Sequence, residues 1–172
     1  SIDAMATFIY YQSFVNSWKQ EKFLEYSKKL DEKLSLYSPT ELVKLKNSDQ
    51  KKINIGFHSA DIRSNHSITH FLKTVLYNYD KNKFNINIYL GCKKHQEDAT
   101  TQEFRNYVDK IINIVDMSDI DVINLIRKDK IDILIDMMGF ISNHRLSLYK
   151  NRLAPIQVSW CGFQNTTGIK EM

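Results

Sequence analysis

The chain has 172 residues, 42% of them hydrophobic and 12% aromatic, with a formal net charge of +4. Such a length and apolar content suit one folded domain with an attachment and exclude a disordered chain. No apolar stretch approaches the ~20 residues of a membrane helix and the opening residues lack a leader pattern, so neither a membrane span nor a secretory signal is expected.

From Ile2 to about Trp18 the chain is rich in aromatics (Phe8, Tyr10, Tyr11, Phe14, Trp18) and reads as helical. From Gln20 onward Phe23, Ser27, Leu30 and Leu34 recur at three and four residues, the stripe of an amphipathic helix. Two such helices have no second layer of their own, so they must pack on the rest of the chain or on upstream sequence. Ser38-Pro39-Thr40 stops the second helix, and the polar run Lys46 to Lys52 reads as an exposed linker. The expected organisation is a helical connector over 1–37, a linker over 38–52 and an αβ domain over 53–172.

Beyond the linker the period changes. Ile53 to Phe57 is a short strand, and Ile68, Phe71, Leu72, Val75, Leu76 and Tyr79 fall on one face of a helix. Phe84 to Leu90 alternates as a strand, a polar helix spans Ala99 to Val108, and Ile111 to Val115 is a strand. Ser118 or Asp119 caps a helix carrying Val122, Leu125 and Ile126. Ile131 to Asp136 is a nearly continuous apolar run, as in a central parallel strand covered on both faces. A short helix (Arg145 to Lys150) and the strand Ile156 to Trp160 complete the set. Strands and helices alternating at this spacing predict an α/β fold with a Rossmann-like parallel sheet.

Cys92 and Cys161 are far apart in sequence and read as two free thiols in a reducing cytoplasm. The lysines are spread along the chain without an aromatic-interleaved patch, so a mildly basic surface is expected and a nucleic-acid partner is not. Position 1 is not Met, and the chain stops at Lys170-Glu171-Met172 after a glycine turn, as if cut at both ends.

In an open parallel sheet a ligand lies beyond the carboxyl ends of the strands. Three loops lie there. In His58 to Ser67, His66 stands at the start of a helix with Asn65 before it and His70 one turn later. An imidazole there is able to take a hydroxyl proton, or simply to cap the helix. In Met137 to Arg145, Gly139 suits a turn with positive φ. In Cys161 to Gly168, two glycines frame Thr166 and Thr167, an arrangement able to offer backbone N–H groups to a sugar or phosphate. Asp136, closing its strand, fits either a functional or a structural hydrogen-bonding role. The chain lacks a Walker loop, a Gly-x-Gly-x-x-Gly fingerprint, a Gly-x-Ser-x-Gly elbow, a His-Glu-x-x-His helix and a Cys-x-x-Cys pair.

Taken in order, these blocks resemble O-linked N-acetylglucosamine transferases of the SPINDLY type. Lys52 to His66 is similar to the family's opening strand and its Asn/Asp-His block, and His70-Phe71-Leu72 carries that block's second histidine. Lys83 to Leu90 resembles the next strand, Asp132 to Gly139 the Asp-Ile-Leu-Val-Asp-Leu-x-Gly block, and Arg152 to Gly168 the Arg-Pro-Ala-Pro-Ile-Gln-Val-x-Trp block with its glycine turn. The resemblance covers residues 52–172, and residues 1–37 look like the family's connector from a tetratricopeptide superhelix.

It implies the N-terminal half of a GT-B transferase: two Rossmann-like domains, the second absent here and carrying most nucleotide contacts, so that this fragment would be inactive alone. The donor would be UDP-N-acetylglucosamine and the acceptor a protein Ser or Thr hydroxyl, with inversion and no metal or other cofactor. His66 aligns with the proposed catalytic base; Cys161, Gly162, Thr166, Thr167 and Gly168 align with the loop near the sugar; Asn65, His70 and Gly139 fall in blocks bordering it. Ser67 stands where the family has Pro, Phe140-Ile141 where it has a polar pair, and Gln164-Asn165 where it has Pro-Gly. These departures keep open a second class of function, a non-catalytic module binding nucleotide sugar or protein. A dinucleotide-dependent enzyme is disfavoured by the missing glycine fingerprint.

Overall fold

Five strands, β1 (Ile53–Ser59), β2 (Phe84–Leu90), β3 (Lys110–Asn113), β4 (Ile133–Asp136) and β5 (Ile156–Ser159), form one sheet of order β3-β2-β1-β4-β5. All pairings are parallel. The computed structural model describes residues 1–15, 19–36 and 52–172. The helix stop at Ser38-Pro39-Thr40, Trp18, and the linker before Lys52 lie outside the described residues.

The chain walks from β1 to β2 to β3 along one half of the sheet, then crosses back to β4 and β5 on the other. Right-handed crossovers therefore put helices on opposite faces of the two halves. α3 (Ser67–Asn78) and α4 (Ala99–Phe104) pack Ile68, Leu72, Leu76 and Phe104 against Phe57, Ile86, Ile88 and Leu90. α5 (Asp119–Lys128) and α6 (Leu146–Tyr149) pack Val122, Ile126, Leu148 and Tyr149 against Tyr89 and Leu134 on the opposite face. Alternation along β2 sends Ile88 to one cluster and Tyr89 to the other, as a two-sided parallel strand requires.

α1 (Ile2–Gln12) and α2 (Gln20–Ser35) form a hairpin whose stripe (Ala6, Ile9, Phe23, Leu30, Leu34) packs on Phe140, Leu146 and Ile169. The expected second layer is thus the chain's own loops. Lys150 staples the hairpin to α6: its Nζ lies 2.7 Å from Asp31 Oδ1 and 2.6 Å from Glu171 Oε2. Burial works against that ammonium, but the two carboxylates outweigh it and hold its pKa above the ordinary value. Gln157 ties the same region together, with Leu153 N–H donating to its Oε1 and its Nε2 donating to the carbonyls of Tyr149 and Glu171.

Most expected elements appear, with shifted ends. α1 stops at Gln12, capped by backbone bonds at Ser13, and α4 stops at Phe104 because Tyr107 and Val108 turn back onto the core beside α3. β3 begins one residue early, at Lys110, which pairs with Asn87. β1 runs past Phe57 to Ser59, since His58 and Ser59 keep pairing with Tyr89 and Leu90; His58 is a strand residue, not a loop residue. No helix among the described residues is long and apolar enough to cross a membrane.

Candidate active site

The sheet reverses its strand order between β1 and β4, and the crevice beyond their carboxyl ends is where such folds place ligands. The β1 loop and the β4 turn border it, and the β5 turn follows one strand further. Strands β1 and β5 are therefore about 10 Å apart, two strand spacings.

The β1 loop is pinned from several sides. Thr69 Oγ1 donates to Arg63 O at 2.7 Å, Thr101 Oγ1 donates to Ile62 O at 2.7 Å, and Ser64 donates through both N–H and hydroxyl to Asp98 Oδ2. Asp98 also caps α4; burial opposes its charge, but these donors outweigh it and hold its carboxyl below the ordinary range. Asn65 makes the sharp bend with φ 64, a conformation asparagine tolerates better than most residues. The bend delivers His66 to the N-cap of α3.

His66 is half-buried and meets two groups. Ile68 N–H donates to its Nδ1 at a long 3.4 Å, and its Nε2 lies 3.7 Å from Asp61 Oδ2. A neutral imidazole that accepts at Nδ1 carries its proton on Nε2, here turned to a carboxylate. Nδ1 is then the basic nitrogen, held only by a weak cap. Of the two sequence alternatives, the structure shows the cap, at the same Nδ1 that a proton acceptor would use. Asp61 joins the site, a residue that sequence reasoning did not single out; its position five residues before His66 was the available signal. Asp61 Oδ1 meanwhile accepts from Arg63 Nη2 at 3.0 Å. His70 is exposed on the next turn of α3.

The β4 and β5 turns interlock. A Cβ on Gly162 would lie 1.6 Å from Met137 O, and a Cβ on Gly139, which has φ +55, would lie 2.3 Å from Phe163 Cβ. Gly162 N–H donates to Trp160 O at 2.8 Å around Cys161, whose φ is 67. This is a three-residue turn in its rare positive-φ form, a strained conformation of the kind that clusters at functional sites. The Cys161 side chain packs against the cluster containing Ile62, Ile68 and Met137, which draws the β5 turn toward the base of α3. Met138 joins β4 to β1, accepting from Ala60 N–H at its sulfur.

The other singled-out residues divide. Thr166 is exposed and accepts from Gly168 N–H at 3.1 Å. Thr167 is buried against Met172, and Gly168 (φ +71) closes on Ser27 of α2. Gly168 thereby joins the loop to the hairpin. Phe140 is core, packed with Phe23 and Phe163, because the hairpin covers that side of the turn.

Asp136 turns inward. Met138 N–H donates to its Oδ1 at 3.1 Å and Gly139 N–H to its Oδ2 at 2.8 Å. Burial raises its pKa to about 6 against those two bonds and one from Tyr149. Burial drives His58 down to about 4, aided by the Arg145 charge, so its ring is neutral near pH 7. No group of His, Cys, Asp and Glu suited to holding a metal ion occurs among the described residues.

A doubly wound parallel sheet with an imidazole–carboxylate pair at its switch point and a strained glycine turn one strand further on defines the class: a Rossmann-like αβ domain. The chain belongs to glycosyl transferase family 41, whose family model matches residues 30–172. It is 36% identical over 124 residues to the probable UDP-N-acetylglucosamine–peptide N-acetylglucosaminyltransferase SPINDLY of Arabidopsis thaliana, covering 70% of this chain and 13% of that protein. The SPINDLY of Oryza sativa subsp. japonica is 34% identical over 122 residues, covering 67% of this chain and 12% of the relative. The fold matches a point mutant of the Thermobaculum terrenum O-GlcNAc transferase with a TM-score of 0.89 at 23% identity, over 99% of this chain and 32% of that one. The chain thus spans only about an eighth of the length of the curated relatives it matches.

Proposed function

We propose that this chain is the N-terminal catalytic half of a cytoplasmic transferase that moves N-acetylglucosamine from UDP-N-acetylglucosamine to Ser or Thr hydroxyls of proteins, with inversion and without a metal. The relatives' names supply the donor and the peptide acceptor. The observation that carries the mechanism is the His66–Asp61 pair at the switch point. Nδ1 accepts the hydroxyl proton as the acceptor oxygen attacks the anomeric carbon, and the Asp61 carboxylate, 3.7 Å from Nε2, stabilises the imidazolium that forms. UDP leaves from the opposite face. Cys161, Gly162 and Thr166, with Asn65, His70 and Gly139 around them, border the sugar. Residues 1–37 join an upstream tetratricopeptide region, and a second αβ domain supplies most nucleotide contacts, so the fragment alone is inactive.

The test is transfer from UDP-N-acetylglucosamine to a Ser/Thr peptide by the full-length protein. His66→Ala is expected to lower kcat by roughly 10²–10⁴-fold with the fold intact. Undiminished turnover rejects the base assignment.

One observation favours a second reading, a binding module without turnover. Gly139 N–H is committed to Asp136, and the Thr167 hydroxyl is buried against Met172, so two polar groups of the turns are occupied internally. Calorimetry showing donor binding by the full-length protein, with no product formed, would decide for it.

A further inference from the structure

Beneath the β4 turn lies a buried polar chain that the chemistry above leaves unused. His58 and Asp136 are register partners on β1 and β4. Tyr149 of α6 closes over them, its Oη 3.0 Å from His58 Nδ1 and hydrogen-bonded to Asp136. All three are at most 2% exposed. A phenol between a carboxylate and an imidazole donates to the carboxylate, the stronger acceptor. His58 Nδ1–H then donates to the phenol oxygen, and His58 Nε2 is left with no partner among the described residues. At its far end the carboxylate grips the Met138 and Gly139 amides, and Gly162 is wedged against the Met137 carbonyl beside them.

We propose that Tyr149, Asp136 and His58 are positioning residues for glycosyl transfer, holding the Met138-Gly139 turn, and through it the Gly162 turn, in place at the same end of the parallel sheet as His66. The proposal rests on the transferase reading. Protonation of Asp136 weakens its grip on both amides, because a neutral carboxyl is a poorer acceptor. The charges that act on His58 are those of Arg145 and His144 in the β4–α6 loop and Asp119 of α5, while Asp136 itself meets Tyr149, the Met138 and Gly139 amides and, at 3.8 Å, His58 Nδ1. Arg145 is itself anchored to the carbonyls of Ile114 and Met117, both at 2.9 Å, so its charge is fixed in place.

Tyr149→Phe keeps the ring and removes the hydroxyl that stabilises the ionised carboxylate, so Asp136 protonates at higher pH. In the full-length protein the acid limb of kcat is expected to move up by about one to two pH units. At pH 6.5 kcat falls about ten-fold, and by pH 9 it returns near the wild-type value. A merely structural role lowers kcat alike at every pH, and that result overturns the proposal. Wild-type protein without any transfer sinks the transferase reading instead, so the two failures are distinguishable. The titration is also read without activity from the ¹³C carboxyl resonance of Asp136, assigned with Asp136→Asn. Its wild-type midpoint is expected near 6; a midpoint in the ordinary carboxylate range, or one unmoved by Tyr149→Phe, overturns the proposal.

Discussion

Adding one methyl group at Gly162 tests whether the β4 and β5 turns act as a single body. The new Cβ would lie 1.6 Å from Met137 O, 2.2 Å from Met137 C and 2.9 Å from Met138 N. All three are backbone atoms of a turn already held by Asp136, so no side chain can rotate away. Restoring a contact of about 3.4 Å requires the turns to part by nearly 2 Å. Overpacking of this kind costs about 1–3 kcal/mol even in deformable cores, and here the upper end applies. At 2–4 °C per kcal/mol that is a fall in Tm of roughly 6–12 °C. A displacement of about 1 Å at a reacting site costs on the order of 10²-fold in rate, so kcat of the full-length Gly162→Ala protein should fall at least that far. Gly91→Ala is the matched control beyond β2, since its Cβ would meet nothing closer than Ala60 Cβ at 3.4 Å. Thermal unfolding by circular dichroism and a donor-transfer assay on both variants make the comparison. If Gly162→Ala unfolds and turns over like Gly91→Ala, the interlock is not needed and the reasoning fails.

Two further outcomes follow from buried charges. Lys150→Met leaves Asp31 uncompensated in the interior and should cost about 3–5 kcal/mol in urea unfolding, whereas Lys150→Met combined with Asp31→Leu should recover most of it; equal losses in both proteins would refute the pairing. The pH dependence of stability carries the second. His58 titrates near 4 when folded against an ordinary 6.5, so its contribution, complete above pH 6.5, is lost as pH falls toward 4. Asp136 titrates near 6 against an ordinary 3.8, so the cost of its buried charge is relieved over nearly the same descent. The two slopes oppose each other between pH 6 and 4. His58→Gln removes only the destabilising one, so the variant should gain stability relative to wild type on acidification through that window, measured as the urea midpoint against pH; parallel curves would count against a buried neutral His58.

Sequence periodicity located the strands and helices because it reports burial directly. β2 and α2 begin where alternation and the three-four stripe begin, and the α5 cap at Ser118 is an ordinary side-chain signal. Alternating strands and helices then determined the parallel sheet, and ordered blocks from Lys52 to Gly168 determined the family. His66 was legible as well, since a histidine before an amphipathic helix can only lie at the strand–helix turn.

Only the tertiary structure decided what those residues touch. The strand order β3-β2-β1-β4-β5 sets β1 beside β4, so His58 meets Tyr149 across 91 residues of sequence and Asp136 becomes the anchor of a turn. No local pattern encodes a pairing at that separation. The same holds for Lys150 and Asp31, which are 119 residues apart, and for Gly168, which faces the hairpin because α2 docks there. A residue's period is written in its neighbours; its partner is chosen by the fold.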